Sequence, residues 1–245
     1  ILTFNESANI TRTLEPLHWA RQIVLLDSLS TDNTVAIARS FANVSIHQRA
    51  FESHTAQWNH GIGLVQTDWV LALDADYVTN PEFAAELERL LILPGTNAFF
   101  ARFIYCVFGR PLRASLYPPR AVLFRRESAR YVPDGHTQLL RFDGNAGDLN
   151  VPIRHDDRKP LGQWLQAQGR YARLEAEKIT AGGASSFHDS IRKWIVLAPL
   201  LTPLYCLFCK GLILDGWVGW HYAFQRTIAE MILSLRVIEQ KLTTR

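Results

Sequence analysis

The sequence predicts an α/β protein, a largely parallel sheet with helices between its strands, followed by a separate helical region. Three features predict it. Over the first hundred residues, short apolar runs alternate with helical patterns, as strands and crossover helices do. Two of those runs end in carboxylates, at Asp27 and at Asp74. From Pro160 onward the strand pattern stops and helical periodicity takes over.

Ile1–Phe4 reads as the end of a strand and Ser7–Leu17 as the helix after it. The chain opens inside this strand without a methionine, so the first few residues of the natural protein are expected to be missing. No basic stretch precedes an apolar one, and no signal peptide is expected. Gln22–Asp27 (QIVLLD) is a buried strand. Ser30 or Thr31 then caps a helix through Phe41, with Asp32 in the first turn, where the helix dipole favours an anion. Val44–Gln48 is the third strand. Thr55–Val65 reads as a helix despite two glycines, and Trp69–Leu73 as a strand running into Asp74-Ala75-Asp76. Pro81 sits at the first position of a helix over Pro81–Leu91. Asn97–Phe108, Arg120–Arg125 and Val151–His155 read as further strands, the first two separated by a loop rich in Pro and Gly. Leu161–Ile179 is an amphipathic helix, and Trp217–Leu242 a long one. No internal repeat or low-complexity segment interrupts this order.

Between those two helices lies Trp194–Cys209, almost uncharged and containing Pro199 and Pro203. From Ile195 to Cys209 it covers 15 residues, whereas a bilayer span takes about 20. Two readings stay open: a core hairpin capping the sheet, or a segment lying in a membrane interface. Lys210, Trp217, Trp220, Tyr222 and Arg226 are residue types that settle at headgroup level.

The 245 residues are 48% hydrophobic and 20% charged, with a formal net charge of +3. That is enough apolar material for a substantial core and too much for disorder. No Lys/Arg stripe interleaves with aromatics, so nucleic acid is not an expected partner. The modest positive balance suits phosphorylated substrates or an anionic membrane surface. Of the three cysteines, Cys206 and Cys209 form a C-x-x-C with no second pair to complete a zinc site. A reducing, cytoplasmic setting fits.

The chemistry concentrates in four blocks. In LALDAD (Leu71–Asp76), an apolar strand delivers Asp74 and Asp76 at the carboxyl edge of a parallel sheet, where ligands bind in open α/β folds. Residues i and i+2 of extended backbone share a face, so both carboxylates can meet one ligand. A hard divalent cation bridging two phosphates wants one or two carboxylates and retained waters. Asp76 suits that role, while Asp74 could hold a ribose hydroxyl or share the metal. In QIVLLDSLSTDNT (Gln22–Thr34), Asp27 at a strand end can accept bonds from a ribose or a base N–H. A plain helix cap accounts for Ser30, Thr31 and Asp32 but leaves Asp27 unexplained. In ILTFNES, Thr3, Asn5 and Glu6 close the first strand where a nucleotide would meet the same edge. In AQWNHGIG, Gln57 and Asn59 could line the groove from a helix's first turns.

These blocks, in this order and spacing, resemble the family 2 glycosyltransferases, whose pattern runs T-x-N-E, V-D-S-x-S-x-D-x-T, a Q-x-N helix and L-D-A-D. The resemblance covers Ile1–Leu91. His155-Asp156-Asp157-Arg158-Lys159-Pro160, then Trp164, Gln168, Arg170-Tyr171 and Glu175-Ala176, is similar to a stretch of the bacterial lipopolysaccharide-core glycosyltransferases. The resemblance implies a GT-A fold, a Rossmann-like nucleotide-diphospho-sugar transferase architecture with a helical C-terminal extension. Residues 1–160 would be the catalytic domain (nucleotide-binding half 1–95, acceptor half 96–160), and residues 161–245 the helical region. It implies that Thr3, Asn5, Glu6 and Asp27 contact the nucleoside, and that Asp74 and Asp76 handle ribose, diphosphate and a Mg²⁺ or Mn²⁺ ion. Two positions depart from the family pattern: Tyr77 stands where relatives commonly carry Glu, and Thr137 follows His136 where similar enzymes show His-Glu.

Transfer to a hydroxyl needs a general base. Asp134 is the preferred candidate, although Pro-Asp-Gly also reads as a plain turn, and Asp156 is the alternative. His155 could be a third metal ligand or touch the diphosphate. Arg158 and Lys159 could neutralise the leaving group or form a solvated charge run. The expected function is inverting transfer of a sugar from a nucleotide diphosphate to a saccharide or glycolipid acceptor. That acceptor would be lipopolysaccharide core or another cell-envelope glycan, and the protein would be cytoplasmic or peripheral on the inner membrane face. A nucleotidyltransferase or a non-catalytic nucleotide-sugar-binding protein are the competing readings. The first should show a Gly-rich basic loop, where this chain has T-F-N-E; Tyr77 and Thr137 favour the second.

Overall fold

A computed structural model describes residues 1–90, 95–114, 116–134, 137–180 and 197–243. Ile1–Pro111 with Ser115–Lys159 form one compact unit, and Leu112–Ala114 with Pro160–Arg245 another.

The first unit is built in chain order from β1 (Leu2–Thr3), α1 (Ile10–Leu14), β2 (Ile23–Asp27), α2 (Thr34–Ala38), β3 (Val44–Gln48), α3 (His54–Leu64), β4 (Trp69–Leu71), β5 (Tyr77–Val78) and α4 (Pro81–Leu90). There follow β6 (Thr96–Ala101), β7 (Phe103–Val107), β8 (Arg110–Pro111), β9 (Arg120–Arg125), β10 (Ala129–Asp134), β11 (Thr137–Phe142), β12 (Asn145–Asp148) and β13 (Ile153–His155). β1, β2 and β3 form a parallel sheet. β12, β6, β9 and β4 form a mixed one, and β5, β13, β7 and β8 a third. A parallel bridge from Leu2 to Asp74 joins the first sheet to the chain leaving β4. The apolar runs supply one core, in which Ile10, Leu25, Leu73, Phe83, Leu123 and Ile153 are almost fully buried.

Several elements differ from the sequence reading. The helix expected over Ser7–Leu17 begins only at Ile10, because the Glu6 carbonyl accepts the N–H groups of Asn9 and Ile10 in a turn. It tightens to a 3₁₀ turn at Glu15–Leu17, where Pro16 has no N–H to continue an α-helix. The next helix is shorter than expected, and neither Ser30 nor Thr31 caps it. Ser30 Oγ instead donates to Asp27, and the Thr31 N–H to Asn5 Oδ1. Asp32 Oδ1 receives the Thr34 N–H in their place.

The single strand expected over Asn97–Phe108 is two. After a register shift at Phe99/Phe100 the chain exchanges β9 for β13 as partner, and Phe108 and Gly109 take positive φ to turn back into β8. The β10–β11 hairpin and β12 were not anticipated. Pro133 lies within β10, and proline usually argues against a strand. Leu91 and His136 fall outside the described residues.

The second unit holds α5 (Leu161–Thr180), α6 (Leu197–Leu204) and α7 (Trp217–Thr243). Ala172, Ala176 and Ile179 of α5 pack on Leu233 and Val237 of α7. α6 runs into a wide turn, Tyr205–Cys209, closed by the Lys210 N–H donating to the Tyr205 carbonyl. The uncharged run is therefore helical from Leu197, and Trp194 to Val196 fall outside the described residues. No described helix is long and apolar enough to cross a membrane. Cys106, Cys206 and Cys209 are free thiols.

Candidate active site

Asp74 still bridges Leu2, but the chain then turns at Ala75 and Asp76, the Tyr77 N–H donating to the Asp74 carbonyl at 3.1 Å. The i, i+2 argument for a shared face therefore fails locally, yet the turn still brings both charges to one place. Asp74 and Asp76 both act electrostatically on His155 and on Tyr77.

Asp76 Oδ2 lies 3.0 Å from His155 Nε2. β13 holds His155 there by pairing it with Tyr77 of β5 and Tyr105 of β7. The imidazole packs against both rings, with centroids 5.3 and 4.4 Å away. Tyr77 is buried and serves as packing, its ring against Phe103 and His155. Burial disfavours the Asp76 carboxylate, but His155 outweighs it and brings its pKa down to about 2. Burial likewise works against a charged imidazole, and Asp76 reverses this, raising the His155 pKa.

Asp76 Oδ1 and His155 Nδ1 are buried without a hydrogen-bond partner among the described residues. The 3.0 Å spacing is that of a hydrogen bond between Asp76 and His155; with the proton displaced, it is also the separation of two donors at right angles about 2.1 Å from one cation. No cluster of three or more potential ligand side chains occurs among the described residues. A cation here would complete its shell with phosphate oxygens and water, as Mg²⁺ does. The residues fit such an ion.

The other expected contacts are turned inward. Asp27 is fully buried. Its Oδ1 accepts from the Thr3 and Ser30 hydroxyls, and its Oδ2 from the Ser30 N–H at 2.9 Å and from Gln48 Nε2 at 3.1 Å. Four donors occupy a carboxylate's roughly four lone-pair sites, so Asp27 and Thr3 hold the loop instead of presenting free acceptors to a nucleoside. Asn5, at φ +54°, ties the β1 loop to the β2 loop through Ser30 and Thr31. Gln57 is buried, accepting from Arg49 Nη1 and donating to Ser28 Oγ. Asn59 makes paired hydrogen bonds with the Tyr131 backbone, at 2.9 and 3.0 Å; it fastens α3 to β10 rather than lining a groove.

The HDDRK stretch closes on the loop after β1. Asn9, fully buried, donates to Glu6 Oε2 and Asp157 Oδ1 and accepts from Arg12 and the Arg158 N–H. Lys159 Nζ meets Glu6 Oε1 at 2.6 Å. Burial opposes the ammonium charge, but Glu6 outweighs it and raises the Lys159 pKa. Asp156 accepts from Arg12 at 2.7 Å, from Arg158 at 2.9 Å and from the Gly109 N–H at 2.9 Å. A buried carboxylate held by two guanidiniums is a clamp, not a base, which corrects the alternative assignment of Asp156. Arg158, expected on the diphosphate, is spent on the same clamp. Asp134 stands on the exposed end of β10, paired with Thr137.

Sequence reasoning missed Asn9, Arg12 and Arg120. The Arg120 pKa is raised: burial opposes it, while Tyr77 and Asp74 more than compensate. Their type and local spacing carried no signal, since the partners that place them in the site, Asp156, Asp157 and Arg158 for Asn9 and Arg12, lie far along the chain.

The sequence profile of glycosyl transferase family 2 matches residues 1–143. An uncharacterized glycosyltransferase of Rickettsia bellii (strain RML369-C) is 28% identical over 102 residues, 41% of this chain and 34% of that protein. One from Rickettsia conorii (strain ATCC VR-613 / Malish 7) is 31% identical over 103 residues, 41% and 36% of the two chains. The matched stretch thus spans about a third of the length of these curated relatives. Among solved structures, Staphylococcus aureus TarS 1-349 in complex with UDP-GlcNAc aligns over 99% of this chain and 90% of its own, with 16% identity and a TM-score of 0.46. Glucosyl-3-phosphoglycerate synthase from Mycobacterium tuberculosis, with phosphoglyceric acid, aligns over 76% and 79%, with 17% identity and a TM-score of 0.49.

The fold is α/β of the GT-A glycosyltransferase type, with a helical C-terminal region. The chain belongs to glycosyl transferase family 2.

Proposed function

We propose that the chain transfers a sugar from a nucleotide-diphosphate donor to a saccharide or lipid-linked acceptor, with inversion, in lipopolysaccharide or other cell-envelope glycan synthesis. The single observation that carries the metal-dependent part is the Asp76–His155 pair, spaced as two ligands of one cation would be, with Asp76 Oδ1 buried and without a partner among the described residues. Asp76 and His155 would hold Mg²⁺ or Mn²⁺. When bound, such an ion supplies positive charge to the departing diphosphate. Asp74, half-buried beside them, is available to a ribose hydroxyl. The acceptor oxygen attacks the anomeric carbon, its proton passes to Asp134, and the bond from that carbon to the diphosphate oxygen breaks. One displacement inverts the centre. The internally bonded Thr3, Asn5, Glu6, Asp27 and Gln57 act by shaping the loops that meet the nucleoside.

The lipid-linked acceptor and a peripheral place on the cytoplasmic membrane face are supported by the second unit. Leu200, Leu204, Phe208, Leu214 and Trp217 are exposed, Trp217 at 87%. Between Leu197 and Ile228 the sole acid is Asp215, and Arg113 neutralises it at 2.7 Å. An apolar surface with basic residues and no spanning helix suits an interfacial contact.

The test is donor turnover with Mn²⁺ in wild type and Asp76→Ala. Release of nucleoside diphosphate by wild type alone is expected. Pyrophosphate as product would mean nucleotidyl transfer, and donor binding without turnover would mean a binding protein.

A further inference from the structure

Successive residues of a strand face opposite sides of its sheet. In β13, His155 lies beside Tyr77 and Tyr105, so Arg154, beside Val78 and Ile104, belongs to the other side. On that far side is a cavity of about 220 Å³ whose lining includes Arg12, Glu15, Cys106, Arg154, Asp156 and Arg158.

Three guanidiniums face two carboxylates there. Arg12 and Arg158 converge on one oxygen of Asp156, and one carboxylate neutralises only one of them. Glu15, Arg154 and Arg158 are all exposed, so water screens each of these charges, and the formal balance of the lining is one positive charge. Arg154 makes no hydrogen bond or ion pair with the described residues. The lining therefore carries a formal surplus of one positive charge, and Arg154 keeps its guanidinium donors unpaired among the described residues, the combination that matches phosphate oxygens.

Its volume is the room of roughly seven waters at about 30 Å³ each. That is below the roughly 300 Å³ at which sites for larger organic ligands begin. A phosphate or the phosphate of a short ester is the size of group it holds.

We propose that this cavity is a second anion site, which takes a small phosphoryl group on the face of β13 opposite the edge where the sugar donor is proposed to bind. The site does not depend on the glycosyl-transfer reading.

The test is thermal unfolding in a chelator, with inorganic phosphate against chloride at equal ionic strength. At about fivefold excess over its Kd, phosphate should raise the wild-type Tm by about 2–4 °C. Asp76→Asn should show the same rise, Arg154→Gln should lose it, and Arg154→Lys should keep part of it. No rise in wild type, a full rise in Arg154→Gln, or a loss confined to Asp76→Asn would each overturn the proposal. A phosphate shift without donor turnover would sink the transferase reading and leave this one standing.

Discussion

Asp76 Oδ2 and His155 Nε2 stand 3.0 Å apart although 79 residues separate them in the chain. β5 and β13 make that possible, because their antiparallel pairing sets His155 directly against Tyr77, the residue after Asp76.

If both side chains ligate one cation, His155→Ala removes a ligand outright. Mn²⁺ affinity should fall by at least about 10-fold, the lower bound for loss of even an outer-shell partner. Titration followed by Mn²⁺ electron paramagnetic resonance measures it. Unchanged affinity would confine the imidazole to packing between Tyr77 and Tyr105.

Asp27→Asn should destabilise the first unit without removing any exposed group. An amide nitrogen would face either the Ser30 N–H with Gln48 Nε2, or the hydroxyls of Thr3 and Ser30. In the first orientation donor meets donor, at about 1–3 kcal/mol. Denaturant melts should show a lowered midpoint, with donor affinity reduced only as far as folding is.

Glu86 shows how pH should enter. It is buried, accepting from the Asn150 N–H, the Asn150 side chain and the Val151 N–H. Burial alone would raise its pKa; these donors reverse that and lower it. The ionised form is thus favoured in the folded state, so its stabilisation is present above the unfolded pKa and lost as pH falls through the folded one. Glu86→Gln should cost about 1–3 kcal/mol near neutrality. The gap to wild type should shrink on acidification below about pH 4.3, and a gap that widened there would contradict the assignment.

Gly219 allows the start of α7 to approach the 3₁₀ turn at Leu212–Asp215. A Cβ at this position would fall 1.8 Å from the Leu212 carbonyl oxygen. Gly219→Ala should therefore destabilise the second unit, by at least the ~1–3 kcal/mol of an overpacked core site, despite alanine's better helix propensity. Limited proteolysis would register it as faster cleavage of the helical region.

Trp217→Ser with Phe208→Ser should weaken sedimentation with anionic vesicles while leaving the Tm nearly unchanged, since both side chains are largely exposed. Retained binding would remove the interfacial reading.

Much of the fold was legible because it rests on local pattern. IVLLD is almost continuously apolar and becomes the buried β2; Pro81 opens α4; periodicity announced α5 and α7. The hairpin of β10 and β11 was not, because Pro133 and scattered charges broke its alternation. The site was legible as residue types and blurred as roles. Asp27, Gln57 and Asn59 stand out in sequence, yet their partners are Ser30, Arg49 and the Tyr131 backbone.

The motifs that mark the family and the alternation of β1–β4 with their helices follow from sequence alone, since apolar periodicity and short motifs are properties of neighbouring residues. Which carboxylates have their acceptors satisfied was decided only in three dimensions. Asp27 and Asp156 are saturated by donors folded around them, whereas Asp76 keeps one buried oxygen without a partner among the described residues. Hydrogen-bond satisfaction depends on groups from other elements, as Thr3 and Gln48 come to Asp27 and Arg12, 144 residues away, to Asp156, and no local pattern records their arrival.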